Sequence, residues 1–255
     1  MKHSLDNLIG FTIVGIDGEI GKVKEFYFDD KAWTIRYMIV ETGNWLIGRK
    51  ILLSPQAITA SDWDRSTFSV DLTTEQIKNS PDIDTDKPVS LQNEMDLYGY
   101  YPWGSYYWGG SMGISGLAMS YPIGISQTTP VENDKNKNGA SDEDHHLRST
   151  DKVTGYSIQA TDEEIGNVED FILNDSTWKI DFMLVDTGNW FPGKKVLIAP
   201  GMIKDINWET STVTVNASEK VIKDSPEYTP GEALNETYET TLESYYGRAI
   251  SPDLK

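Results

Sequence analysis

Shifted by 145 residues, the sequence aligns with itself without a gap. Gly10-Phe11-Thr12-Ile13 falls over Gly155-Tyr156-Ser157-Ile158, and Glu19-Ile20-Gly21-Lys22-Val23 over Glu164-Ile165-Gly166-Asn167-Val168. Thr42-Gly43-Asn44-Trp45 then meets Thr187-Gly188-Asn189-Trp190, and Ile77-Lys78-Asn79-Ser80-Pro81 meets Ile222-Lys223-Asp224-Ser225-Pro226. Residues 10–81 and 155–226 share 30 identities in 72 positions. The register continues to Glu94, Leu97, Tyr100 and Tyr101, which lie over Glu239, Leu242, Tyr245 and Tyr246. An internal repeat sets the architecture before any local pattern is read. This one restricts the chain to two copies of a small module, and it predicts two separately closed units rather than one continuous sheet.

Each copy reads as strands first and helix last. Phe11–Ile16 is a strand entry, and Asp17-Gly18-Glu19 a turn in which glycine can take positive φ. Val23–Phe28 is rich in aromatic and β-branched residues and ends at the Asp29-Asp30-Lys31 turn. In the strand Trp33–Val40, Ile35, Tyr37 and Ile39 point one way and Met38 and Val40 the other, which predicts cover on both faces. Lys50–Leu53 and Thr67–Val70 follow, separated by the Asp64-Arg65-Ser66 turn. Five or six short strands with closely spaced turns point to a small antiparallel barrel, whose closure removes sticky edges. Ser218 is a good N-cap for a short helix over 219–223. Leu234, Tyr238, Leu242 and Tyr245 form one helical stripe, echoed more weakly by Val89, Asn93, Leu97 and Tyr100. The expected fold class is therefore mainly β: two tandem small antiparallel barrels, each followed by a short α-helix. The first unit runs over 1–96, the second over 149–255, and 97–148 is a Gly/Tyr-rich and then acidic linker.

At this point the residues resemble the PRC-barrel domain, the fold of the cytoplasmic domain of the photosynthetic reaction centre H subunit, also found in ribosome maturation factors. The resemblance rests on Ile20-Gly21-Lys22-Val23 with Phe26, then Trp33, Met38-Ile39-Val40 and Leu52-Leu53-Ser54-Pro55. The second copy has Ile165-Gly166-Asn167-Val168, Phe171, Trp178, Met183-Leu184-Val185 and Ile198-Ala199-Pro200. Asp186-Thr187-Gly188-Asn189-Trp190 with Gly193-Lys194-Lys195 is similar to bacterial proteins carrying two such domains. The resemblance implies a β-barrel scaffold that docks a protein partner, linked to membrane electron-transfer or stress machinery. It also implies intramolecular pairing of the two barrels about a pseudo-two-fold axis, with homo-oligomerisation as a further expectation.

Composition narrows the function. The formal charge is −18, and both copies share it: 9 basic against 15 acidic residues over 10–96, and 7 against 17 over 155–248. Such a chain repels polyanions, so no nucleic acid partner is expected; solubility is the simpler reading of the charge, and a basic protein partner the sharper one. Cysteine is absent, which removes thiol catalysis, disulfides and Cys-ligated zinc. The G-x-S-x-G, H-E-x-x-H and phosphate-cradling Gly-Lys-Ser/Thr motifs do not occur, and there are three histidines in all. No catalytic residue is assigned, and the chain is expected not to be an enzyme. The residues after Met1 contain no apolar h-region, so the expected location is cytoplasmic, peripheral to the inner membrane at most.

The linker holds the remaining candidates. Residues 97–131 are uncharged, but Pro102, Pro122 and the Gly109-Gly110 pair argue against a spanning helix. Tyr101, Trp103, Tyr107 and Trp108 are candidate partner or membrane-surface contacts, the simpler reading being that the aromatics fold back onto the barrels or form a flexible Gly/Tyr arm. Trp45 and Trp190 lie just past a strand; packing against the barrel is the simpler reading, and partner anchoring the alternative. Asp134, Asn136, Asn138, Gly139 and Asp142 match the start of a calcium loop, with oxygen ligands at alternating positions and glycine at the sharp turn. Ser141 and His145 depart from that pattern where a hydrophobe and a bidentate Glu belong. A calcium-responsive linker is thus the second functional reading, beside the scaffold.

Overall fold

The computed structural model describes residues 1–81, 97, 100–101, 147–188, 193–232 and 234–250, with 248–250 by backbone only. The first copy contributes β1 (Lys2–Ser4), β2 (Thr12–Val14), β3 (Glu19–Asp29), β4 (Thr34–Thr42), β5 (Lys50–Leu53), β6 (Ile58–Asp62), β7 (Thr67–Val70) and helix α1 (Thr74–Lys78). The second contributes β8 (Leu147–Ser149), α2 (Thr150–Val153), β9 (Ser157–Gln159), β10 (Glu164–Asn174), β11 (Lys179–Asp186), β12 (Lys195–Ile198), β13 (Ile203–Asn207), β14 (Thr212–Val215), α3 (Glu219–Lys223) and α4 (Glu236–Ile250).

Both copies have one topology. Strands neighbour each other in the order β6-β7-β2-β3-β4-β5 in the first and β13-β14-β9-β10-β11-β12 in the second. Thr34 through Val40 are all buried, as the two-sided pattern of that strand predicts. The barrel is not wholly antiparallel, however. β2 runs parallel to β7, with Thr12 opposite Thr67, and β9 parallel to β14, with Ser157 opposite Thr212. The cause is the β6–β7 hairpin, which the sequence pattern did not reveal: it reverses the chain once more, so β7 reaches β2 in the same direction.

Two glycines of the repeated Ile-Gly pair set how closely the long strands cross. A Cβ on Gly21 would collide with the carbonyl of Glu41, and one on Gly166 with the carbonyl of Asp186. Gly166 also has φ +138, a backbone closed to other residues.

Two barrel-like units form as expected, but their sheets are not separate: the fourteen strands among the described residues belong to one hydrogen-bonded network. The join is narrow and follows from two left-handed residues at equivalent turns, Trp33 at φ 52 and Trp178 at φ 55. The Trp33 carbonyl accepts from the Ile180 N–H at 2.7 Å, and the Trp178 carbonyl from the Ile35 N–H at 2.8 Å. A second join is larger. β1 leaves its own module and pairs antiparallel with β10, Lys2 opposite Asn174 and Ser4 opposite Ile172. β8 pairs in the same way with β3, Leu147 opposite Asp29 and Ser149 opposite Tyr27. Each module therefore receives its leading strand from the other, and the buried apolar residues of both form one core.

The C-terminal helix α4 packs on its own barrel. In α4 Leu242 and Tyr246 are buried, and the Tyr246 hydroxyl donates to the Leu197 carbonyl at 3.1 Å. The Tyr245 hydroxyl donates to the Val221 carbonyl, and at the equivalent place Tyr100 donates to Gln76, both at 2.8 Å. Ser218 caps α3 as the sequence predicts, and Thr73 with Gln76 forms a full capping box on α1.

Gly166→Ala is expected to lower unfolding stability by about 2 kcal/mol or more in denaturant titrations, since neither the backbone angle nor the space admits a methyl group. Gly201→Ala, where a Cβ meets nothing within 4 Å, should be near neutral.

Candidate partner-docking site

One end of the first module carries exposed apolar side chains. The chain leaves β4 at Gly43, makes a short 3-10 turn over Asn44–Leu46 and returns through Ile47 and Gly48. Thr42 closes the hairpin by donating to the Arg49 carbonyl at 2.8 Å. The Arg49 guanidinium reaches the carbonyls of Lys78, Ser80 and Pro81 at 3.0, 2.7 and 3.0 Å, tying the hairpin to α1. In the second module the Lys194 ammonium makes the matching bonds to Lys223 and Ser225. In both modules the base after the hairpin, Arg49 or Lys194, thus clamps the helix.

Trp45 combines both readings of the sequence. Its indole N–H donates to the Ile20 carbonyl at 2.9 Å, yet the residue stays 40% exposed. Ile47 is 96% exposed and sits at φ 56, left-handed backbone that a β-branched residue rarely adopts. Ile16 is 66% exposed, and its N–H bonds the Leu72 carbonyl beside the same Ile20 corner. The second module has Thr161 at the position of Ile16 and Pro192 at that of Ile47. Near this end Asp17 accepts from the backbone and side chain of Thr74, both at 2.8 Å, which holds its carboxyl below the usual range.

The other predicted residues fare differently. Tyr101 is corrected: it is 3% exposed and packs edge-on to Tyr100, so it belongs to the core and is unavailable to a partner. It occupies the place in the first module that buried Tyr246 takes in the second. Trp103, Tyr107, Trp108 and Trp190 lie outside the described residues, as do the calcium-loop candidates Asp134, Asn136, Asn138 and Asp142. Among the described residues no group of three or more His, Asp or Glu is placed to hold a metal. No helix there is long and apolar enough to cross a membrane.

Sequence reasoning missed the seam between the modules. Ser4 in the first arm donates to Asp170, and Ser149 in the second donates to Glu25 at the equivalent position. Asp170 is 5% exposed; burial pushes it up to about 6, although its Oδ1 accepts from the N–H groups of Phe171 at 2.7 Å and Asp6 at 3.3 Å. Burial also raises Glu25 and Asp6. Beyond the serines, Arg148 pairs through Nε with Asp30 at 2.8 Å and lies 3.9 Å over the Trp208 ring. Its counterpart His3 stacks on Trp63 with centroids 3.8 Å apart and sits 3.2 Å from Asp175. The only sequence signal for this seam was Ser4 over Ser149 and Asp6 over Asp151, upstream of the strong repeat.

The family model of the PRC-barrel domain matches residues 2–77 and 148–222, so both matches take in an arm and its barrel. No curated protein matches the chain. PRC-barrel domains are protein-interaction and scaffold domains.

Arg148→Ala is expected to cost about 1–2 kcal/mol in denaturant titrations, because it removes an ion pair and a guanidinium–indole contact together. Arg148→Lys should recover less than half, since an ammonium cannot stack as a plane. Two matched barrels that complete each other's sheets account for most of the described chain, which belongs to the PRC-barrel domain family as a tandem member.

Proposed function

We propose that this protein is a non-catalytic scaffold that docks a protein partner on the Trp45–Ile47 hairpin and Ile16 of its first module. The observation that carries the reading is Ile47. A fully exposed β-branched side chain in left-handed backbone costs stability and gains no burial in the free chain, and such strain gathers at functional positions. A partner that covers Ile47, Ile16 and the open face of Trp45 would bury the apolar area that water now meets.

The acidic barrels define the rest of the partner. With a net charge of −18, the surface favours a protein bearing Lys and Arg around an apolar patch, and charge speeds that encounter. Membrane-associated electron-transfer or stress machinery, met from the cytoplasmic side, is the setting this reading adopts from the family resemblance. The second module offers threonine where the first offers Ile16, so the two barrels do different work: one presents the docking tip, the other braces it.

Asparagine tolerates left-handed backbone, so Ile47→Asn should raise unfolding stability by about 0.5–1 kcal/mol. The same variant, and Trp45→Ala with it, should lose at least about tenfold in partner affinity, as truncated anchors do. Quantitative affinity capture from host extract, followed by titration of the purified partner, reads both effects. Partner binding unchanged in both variants would remove the hairpin as the docking site.

A further inference from the structure

Where Arg148 bridges Asp30 and Trp208, a cleft of about 390 Å³ opens between the β3–β4 turn of the first module and β13 of the second. Much of its wall is apolar: Trp33, Pro200, Ile203, Ile206 and Trp208, each half-buried. Lys31, Lys204 and Asp205 line it as well and are exposed. Neither lysine makes an ion pair among the described residues.

The charge of this lining runs against that of the chain. Arg148 and Asp30, 2.8 Å apart, offset each other, which leaves two ammonium groups against the one carboxylate of Asp205. Over the whole sequence 40 acidic residues face 22 basic ones. A local excess of cations in an otherwise repelling field draws an anion to this place. The repeat supplies a comparison. Pro55, Ile58, Trp63 and Trp178 stand in register with the wall residues, so the sister seam keeps most of the apolar surface. It lacks the charges, with Ser176 in the place of Lys31 and Thr59 in that of Lys204. Packing of the modules therefore needs the wall but not the lysines.

The geometry points to a binding site for a small organic anion: a carboxylate or phosphate held by Lys31 and Lys204, carried on a ring that lies against Trp33, Ile206 and Trp208. The cleft has the size of small-molecule sites, which run from about 300 to about 1,000 Å³. Ammonium groups act as mobile point charges and accept either anion without a bidentate fit. Flat aromatic walls favour a flat apolar body over a bare ion. Arg148 is a positioning residue: it lies 3.9 Å over the Trp208 ring and is itself held by Asp30, so that wall is set before a ligand arrives. Lys31 and Trp33 belong to the first module, Lys204 and Trp208 to the second, so a bound anion ties the two together. The site is separate from the Trp45–Ile47 hairpin and does not depend on its role.

Nitrogen–proton correlation spectra of the labelled full chain test this, with the indole signals of Trp33, Trp208, Trp63 and Trp178 assigned from single Trp→Phe variants. Phenyl phosphate and phenylacetate are the probes, inorganic phosphate and benzylamine the controls. At least one probe should shift the Trp33 and Trp208 signals saturably, with Kd about 1 mM or tighter, and leave Trp63 and Trp178 in place. The tighter probe identifies the anionic end. A Lys31→Ser, Lys204→Thr double variant carries the sister seam's residues, so it should keep the rest of the spectrum while binding at least about tenfold more weakly. Raising salt from about 50 to about 500 mM should weaken binding in the wild type. No saturable shift from either probe up to about 10 mM, equal shifts in the two seams, or full affinity in the double variant would each overturn the proposal. Inorganic phosphate or benzylamine binding as tightly as the probes would overturn it too.

Discussion

The rest of the structure depends on backbone hydrogen bonds that neither barrel can make alone. β3 is eleven residues long, and β2 covers only its first part, from Glu19 to Lys22. Beyond the irregularity at Val23 and Glu25 the same edge would face water, and Tyr27 to Asp29 would be open to any extended chain. β8 fills that stretch, and β1 fills the corresponding one on β10. Strand exchange solves the edge problem for both copies at once. It also makes the two modules one mechanical unit, because separating them would unpair two strands and open a shared core.

Side chains then fix where the arms sit. In a strand a one-residue slip sends every side chain to the opposite face. Ser4 and Ser149 can meet Asp170 and Glu25 in only one register, so these buried polar contacts trade desolvation for alignment. The bridging side chains Arg148 and His3 add a second check, each reaching a turn of one module and a Trp of the other. The two seams occupy equivalent positions of the repeat but carry unequal side chains. The same divergence shows at the barrel ends, where Ile16 faces Thr161 across the repeat. A rigid, exchanged pair can carry distinct surfaces on its halves without changing the frame that positions them.

Much of this was readable beforehand. Alternation over Trp33–Val40 announced a strand buried on both faces, and Ser218 announced the start of α3, because both signals depend on neighbours within a few residues. The spacing of Tyr238, Leu242 and Tyr245 likewise announced α4, although Leu234 of the same stripe lies before its first residue. Tyr101 was misread since an uncharged aromatic stretch looks the same whether its rings fold back or point out. Only contact with Tyr100 beside α1 distinguishes the two. The left-handed Ile47 was also invisible, for nothing in its composition distinguishes it from a strand residue at the hairpin end.

The sequence by itself determined the copy number, most strands and the acidic surface, since each follows from periodicity, repetition or summed charge, while the barrel family rested on the resemblance of its motifs. Tertiary structure alone decided that β2 runs parallel to β7, that two Trp carbonyls join the sheets, and that three-residue arms cross between modules. A three-residue arm is too short to show alternation, and its partner lies about 170 residues away in the first case and about 120 in the second. Its placement is set by unpaired backbone on a distant strand, an influence that no window along the chain contains.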